Sequence, residues 1–169
     1  MTDFTFRNTV QPEDRTVYRK IMESTGLFYD FEMEVALEIM DLFLKDGEKT
    51  GYYFIMAELE GKTTGIINYG PTPCTRASWD IYWMAVQKDL QGKGLGSMLL
   101  EMAENHIASE QGENIWIETS GRSDYLPTRM FYLKNRYEKM CELPDFYARE
   151  DSKCIYGKYL RPSGGNLSR

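Results

Sequence analysis

Apolar and polar residues alternate through FTFRNTV (residues 4–10), the period of a half-buried strand. After Pro12 the pattern turns helical. Pro12 suits a first helical position, Glu13 and Asp14 suit the positive end of a helix, and the run predicts a helix ending near Thr25-Gly26. A short apolar loop, GLFYDF (26–31), precedes a second helix over 32–45, which stops before Gly47. YYFIMAEL (52–59) and TTGIINYG (63–70) read as a hairpin around Glu60-Gly61-Lys62, with Pro71 and Pro73 breaking its second strand. SWDIYWMAV (78–86) is a further strand, followed by a glycine-rich loop and a helix over 95–110. NIWIET (114–119) is a strand and YLPTRMFYLKN (125–135) a helix that tolerates Pro127 only in its first turn. YEKMCEL (137–143) and SKCIYGKYL (152–160) predict two strands joined by the loop PDFYARED (144–151). The order predicts an α+β fold with a mixed sheet, one domain over 1–160, and a polar, disordered tail, RPSGGNLSR, over 161–169.

The 169 residues, 42% of them hydrophobic, suffice for one core and leave little for a second. A net charge of -6 disfavours a nucleic-acid backbone as partner and suits amines better. No apolar run is long enough to span a bilayer, and MTDFTFRNTV lacks a signal-peptide core, so a soluble cytoplasmic protein with no membrane partner is expected. Cys74, Cys141 and Cys154 are odd in number and widely spaced, which fits neither a disulfide framework nor a zinc motif. The single histidine, His106, excludes a multi-histidine metal site, no nucleophile elbow accompanies it, and no metal is expected.

The densest chemical signal is LQGKGLGSML (90–99). Glycines at the mouth of a helix let the backbone curl into a nest of N–H donors and approach a phosphate, and Lys93 would add charge. The spacing is not G-x-x-x-x-G-K-[ST], and Gly92, Gly94 and Gly96 make G-x-G-x-G rather than a dinucleotide fingerprint. On spacing alone, a phosphate site and a tight turn closing a strand–helix crossover both remain open.

IYWMAVQKDLQGKGLGSMLLEMAENHI (81–107) resembles the cofactor segment of the GNAT superfamily, the Gcn5-related N-acetyltransferases. Gln91, Gly94 and Gly96 match its [QR]-x-x-G-x-[GA] signature, and the element order is similar over about residues 4–160. The resemblance implies a mostly antiparallel twisted sheet of about seven strands with about four helices. It also implies acetyl-coenzyme A as cosubstrate, held by Met84, Ala85 and Val86 on the strand and by Gln91, Gly92, Lys93, Gly94, Leu95, Gly96 and Ser97 in the loop. Tyr132 matches the tyrosine of the family's Y-x-x-x-G-[FY] pattern, which lies near the coenzyme sulfur. Arg136 replaces that pattern's glycine, a departure expected to alter the turn after the helix. SGRSDYLPTRMFY and LPDFYARED…IYGKYL resemble a microbial subgroup whose substrates are mostly unassigned.

The implied reaction is direct attack of a primary amine (of a small molecule, amino acid or peptide) on a thioester. The amine must first lose a proton, so a carboxylate base is useful. Asp80 lies where several members carry one and shares a strand face with Tyr82, Met84 and Val86, while Glu118 on the neighbouring strand is its rival. The resemblance assigns the Met84 backbone N–H to the oxyanion and Tyr132 to the leaving thiolate. It places the acceptor between loops 26–31 and 144–151, where Phe28, Tyr29, Phe146 and Tyr147 would form walls and Asp30, Glu150 and Asp151 would hold an ammonium. A homodimer is compatible with the family's habits. Two other readings are a non-catalytic acyl-coenzyme A module on the same fold and an unrelated phosphate-binding α/β protein.

Overall fold

The computed structural model describes residues 3–160. The predicted tail over 161–169 lies outside the described residues. The elements run β1 (Phe4–Arg7), α1 (Asp14–Thr25), α2 (Asp30–Asp46), β2 (Tyr53–Leu59), β3 (Lys62–Pro71), β4 (Ser78–Val86), α3 (Leu95–Ser109), β5 (Asn114–Ser120), α4 (Leu126–Lys134), β6 (Glu138–Ala148) and β7 (Asp151–Tyr159). One seven-stranded mixed sheet has the order β1-β2-β3-β4-β5-β7-β6. Neighbours β4 and β5 are joined through α3, the crossover that parallel strands require. The chain forms two compact units, one reaching to Gly70 and including Ile81–Ala103, the other formed by Pro71–Asp80 and the chain from Glu104 on.

In the first unit, α1 and α2 bury the apolar faces that their periodicity announced. Tyr18, Met22, Leu37 and Met40 meet Phe54, Met56 and Ile66 of the β2–β3 hairpin in one cluster. β1 is shorter than its alternating pattern, for a visible reason. Arg7 turns to Asp14, donating at 2.6 and 2.8 Å, while the Gln11 N–H donates to the same carboxylate at 2.7 Å. That part-buried pair ends the strand and fixes the start of α1. α2 begins at Asp30, before the expected 32, because Glu32 reaches back and accepts the Tyr29 N–H at 2.8 Å, capping the first turn. Gly65 on β3 admits α3: a Cβ there would stand 3.1 Å from Leu99 Cδ1 and 3.3 Å from Leu95 Cδ2.

In the second unit, β7 pairs antiparallel with β5, from Asn114↔Tyr159 to Ser120↔Lys153, and with β6 on its other side. The predicted loop over 144–151 is corrected here. β6 continues to Ala148, Ala148 pairs with Asp151, and only Arg149 and Glu150 turn the chain. A register shift between Leu143 and Ala148 absorbs Pro144, which has no N–H to give, and Asp145, whose φ is +53°. Proline is tolerated at such bulges and on edge strands. Pro71 likewise closes β3 instead of lying beyond it. Among the described residues no helix is long and apolar enough to cross a membrane.

Candidate functional site

The glycine loop leaves β4 at Val86 and is braced before it opens. The Gln87 N–H donates to Thr64 O at 2.9 Å, Lys88–Leu90 make a single 3-10 turn, and Gln91 Nε2 donates back to Val86 O at 3.1 Å. Gln91 thus ties the loop to the strand it has just left. Gly92 and Gly94 then take φ values of +75° and +90°, and a Cβ built on either would find nothing within 4 Å. Crowding therefore does not explain the glycines; left-handed backbone beside open space does. Met98 N–H to Gly94 O (3.1 Å) is the first helical hydrogen bond of α3. Helix geometry leaves the amides of Leu95, Gly96 and Ser97 without intrahelical acceptors, at the positive end of α3. Leu95 is buried and anchors the turn, and Lys93 is exposed. An anion held here would meet N–H donors with a cationic side chain beside them.

On β4, Ala85 and Val86 are buried and Met84 is half-buried. Phe28 packs on the core of the first unit with its ring 5.8 Å from Trp83, and Tyr29 stacks on Phe31 at 5.5 Å. Trp83 and Phe31 had not been singled out from sequence, although both are large aromatics beside residues that were. Asp30 is exposed at the first position of α2.

The second unit carries the titratable candidates. Asp80, half-buried on β4, has its pKa raised by burial and further by the charge of Glu118. The nearby Thr72 hydroxyl, buried and without a well-formed hydrogen bond, draws it part of the way back. Glu118 is more exposed and is engaged, its Oε2 standing 2.6 Å from Lys153 Nζ. Tyr132 is buried in an aromatic group with Tyr156 at 5.7 Å and Tyr137 at 6.1 Å between ring centres. Burial, with Tyr156 alongside, pushes its phenol pKa up. Tyr137 donates to Glu104 at 3.0 Å, and Glu104 also takes Lys158 at 2.6 Å, so the wall behind Tyr132 is pinned.

The expected turn beyond α4 also has a definite outcome. Arg136 adopts φ +66°, the conformation a glycine would take. Tyr137 N–H bonds Tyr132 O at 3.0 Å and Arg136 N–H bonds Leu133 O at 3.0 Å, a Schellman closure. The departure from the pattern leaves the glycine-type turn in place.

Of the other acceptor candidates, Asp151 is buried and already accepts the Ser120 hydroxyl at 2.6 Å, with Arg122 3.7 Å away. Glu150 sits in the two-residue turn. Phe146 and Tyr147 lie on β6, and the cation over them is Lys153, 3.7 Å from the Phe146 ring centre and 5.8 Å from that of Tyr147. His106 lies edge-on to Trp79 at 6.2 Å. All three cysteines are free, and no group of three or more metal-ligating side chains occurs among the described residues.

The family model for the acetyltransferase (GNAT) domain matches residues 50–139, more than half of the chain and spanning the strand, the glycine loop, α3 and α4. The chain belongs to the GNAT acetyltransferase family. A GNAT-family protein from Desulfovibrio desulfuricans is 36% identical, with 94% of this chain and 100% of that one covered at a TM-score of 0.91. The same fold recurs in the ribosomal-protein-S18-alanine N-acetyltransferase from Escherichia coli (17% identity, 99% and 100% covered, TM-score 0.75). It recurs again in an aminoglycoside 6'-N-acetyltransferase complexed with coenzyme A (14% identity, 95% and 99% covered, TM-score 0.75). No curated protein sequence matches. In GNAT terms, the seven strands and four helices are the family fold, and acetyl-coenzyme A-dependent N-acetylation is the family's general reaction.

Proposed function

We propose that the protein transfers the acetyl group of acetyl-coenzyme A to a primary amine of a small molecule, amino acid or peptide, by direct attack in a ternary complex. The observation that carries this reading is the opening of α3, where Gly92 and Gly94 hold left-handed backbone beside open space and the first-turn amides have no intrahelical acceptors. The donor set fits a pyrophosphate: backbone amides from Gly92 to Ser97, the Lys93 ammonium and a helix N-terminus. Met84, Ala85 and Val86 close β4 just before the loop, and the pantetheine arm would run along them. The coenzyme supplies an activated thioester.

The chain's own residues then have separable tasks. Asp80 accepts the proton of the attacking ammonium; its raised pKa brings it closer to the amine it serves. Glu118 is the alternative base, weakened for that role by its bond to Lys153. The Met84 N–H would donate to the oxygen on which negative charge develops. As the new C–N bond forms and the C–S bond breaks, Tyr132 supports the leaving sulfur. Its raised pKa keeps it a phenol, so it serves as a hydrogen-bond donor. Full proton transfer to a thiolate of pKa near ~8.5 would be uphill.

Gly94→Val tests the loop. Valine disfavours φ +90° and adds bulk where the phosphates would lie. Coenzyme A affinity by calorimetry should fall by about tenfold or more, roughly 1.4 kcal/mol. Unchanged affinity would remove the loop from the coenzyme site.

A further inference from the structure

Phe146 and Tyr147 are adjacent on β6, and adjacent strand residues ordinarily point to opposite faces. Here both rings lie within reach of one ammonium, with ring centres 5.1 Å apart and planes at 84°. The bulge between Leu143 and Ala148, with Asp145 at φ +53°, breaks the alternation and brings them together. Bulges that re-aim side chains recur beside binding sites, and local backbone strain concentrates there. Between the rings and Glu118 lies Lys153 Nζ, 2.6 Å from the carboxylate and 3.7 Å from the Phe146 ring centre. The parts differ sharply in access. The Lys153 side chain is 12% exposed, the Glu118 side chain 52%, and Phe146 and Tyr147 are 51% and 45% exposed. What this cluster shows to solvent is a carboxylate and two aromatic rings, a combination that attracts cations.

We propose that Glu118 with the Phe146–Tyr147 pair is a subsite for an alkylammonium group of the acceptor, occupied by the ammonium of Lys153 until an acceptor cation displaces it. Lys153 sits on a flexible four-carbon stem, and its partner Glu118 is half exposed, so an incoming ammonium can reach the carboxylate and take over the contacts that the Lys153 ammonium makes. An amine held as an ammonium is not the nucleophile, because the attacking nitrogen must be neutral. The acceptor class is therefore a diamine or larger polyamine, anchored by one charged nitrogen while another is acetylated. This names the acceptor for the acetyltransferase reading and rests on it, but the subsite itself is tested by binding alone.

The probe is 1,4-diaminobutane, titrated while the ring resonances of Phe146 and Tyr147 are followed by NMR, with butanoate as the anion control. In the wild type, saturable shifts of both rings are expected with the diamine and none with butanoate. Lys153→Met vacates the subsite and should tighten diamine binding by about tenfold. Adding Glu118→Gln should cancel that gain. Should Lys153→Met fold poorly, Phe146→Leu in the wild-type background should abolish the saturable Tyr147 shift. Rings that ignore the diamine in both wild type and Lys153→Met, or a Lys153→Met protein that binds it no more tightly, overturn the proposal. Acetyl transfer to amines with silent rings would sink the subsite and leave the enzyme standing. Responsive rings in a protein that acetylates nothing would do the reverse.

Discussion

Asp80 shows how one residue's surroundings shape its chemistry. Burial and the neighbouring Glu118 raise its pKa, so the folded protein binds that proton more tightly than the unfolded chain does. Stability must then fall as pH rises from the ordinary carboxylate range through the raised folded value, because the native state carries the extra proton. Asp80→Asn removes the titration. Unfolding midpoints should show the variant gaining on the wild type across that window and holding the advantage at neutral pH, with the gain absent in acid. The same substitution should reduce turnover far more than coenzyme affinity. A variant of unchanged stability profile and full turnover would remove Asp80 from the role of base. The sequence resemblance singled out Asp80 and Tyr132, and both lie in surroundings that raise their pKa. It was silent on Lys153, because the pairing with Glu118 depends on the β5–β7 register, which places Ile155 opposite Glu118 and Lys153 opposite Ser120. A separation of 35 residues along the chain hides that neighbourhood.

At the scale of elements, α4 and its exit carry the clearest lesson. YLPTRMFYLKN reads as a helix with Pro127 admitted only in its first turn, and the structure places Leu126–Lys134 there with the proline in that turn. Arg136 in place of the pattern's glycine leads one to expect an altered turn, yet the Schellman hydrogen bonds hold it at φ +66°. Left-handed backbone costs an L-residue roughly 1–2 kcal/mol, offset in part by the larger unfolded-state entropy of glycine. Arg136→Gly should therefore stabilise the protein by up to about 1 kcal/mol, a rise in midpoint of roughly 2–4 °C. A lower midpoint would show that the arginine side chain contributes contacts outweighing the strain. Strand boundaries were less legible. β6 runs across Pro144 because a bulge accommodates it, and β1 stops early because Arg7 is recruited by Asp14. Both outcomes depend on long-range partners that a local hydrophobic period does not encode.

For the molecule as a whole, the order of strands and helices and the single glycine loop between β4 and α3 were readable before any coordinates. Alternation, helical period and turn residues agree with one another over most of the chain. The loop's function was not readable from spacing, since G-x-G-x-G fits no phosphate motif by itself. The strand before it, Gln91 and the family match support the coenzyme reading proposed above. The acidic balance of -6 fits a cationic acceptor at the same scale. The most direct test of acetyl transfer is the release of free coenzyme A thiol from acetyl-coenzyme A as a panel of mono- and polyamines is added to the wild-type protein. Amine-dependent release, with matching formation of the acetylated amine, is the predicted result. Tight coenzyme binding with no amine-dependent release across the panel would contradict it and identify a coenzyme-binding module instead.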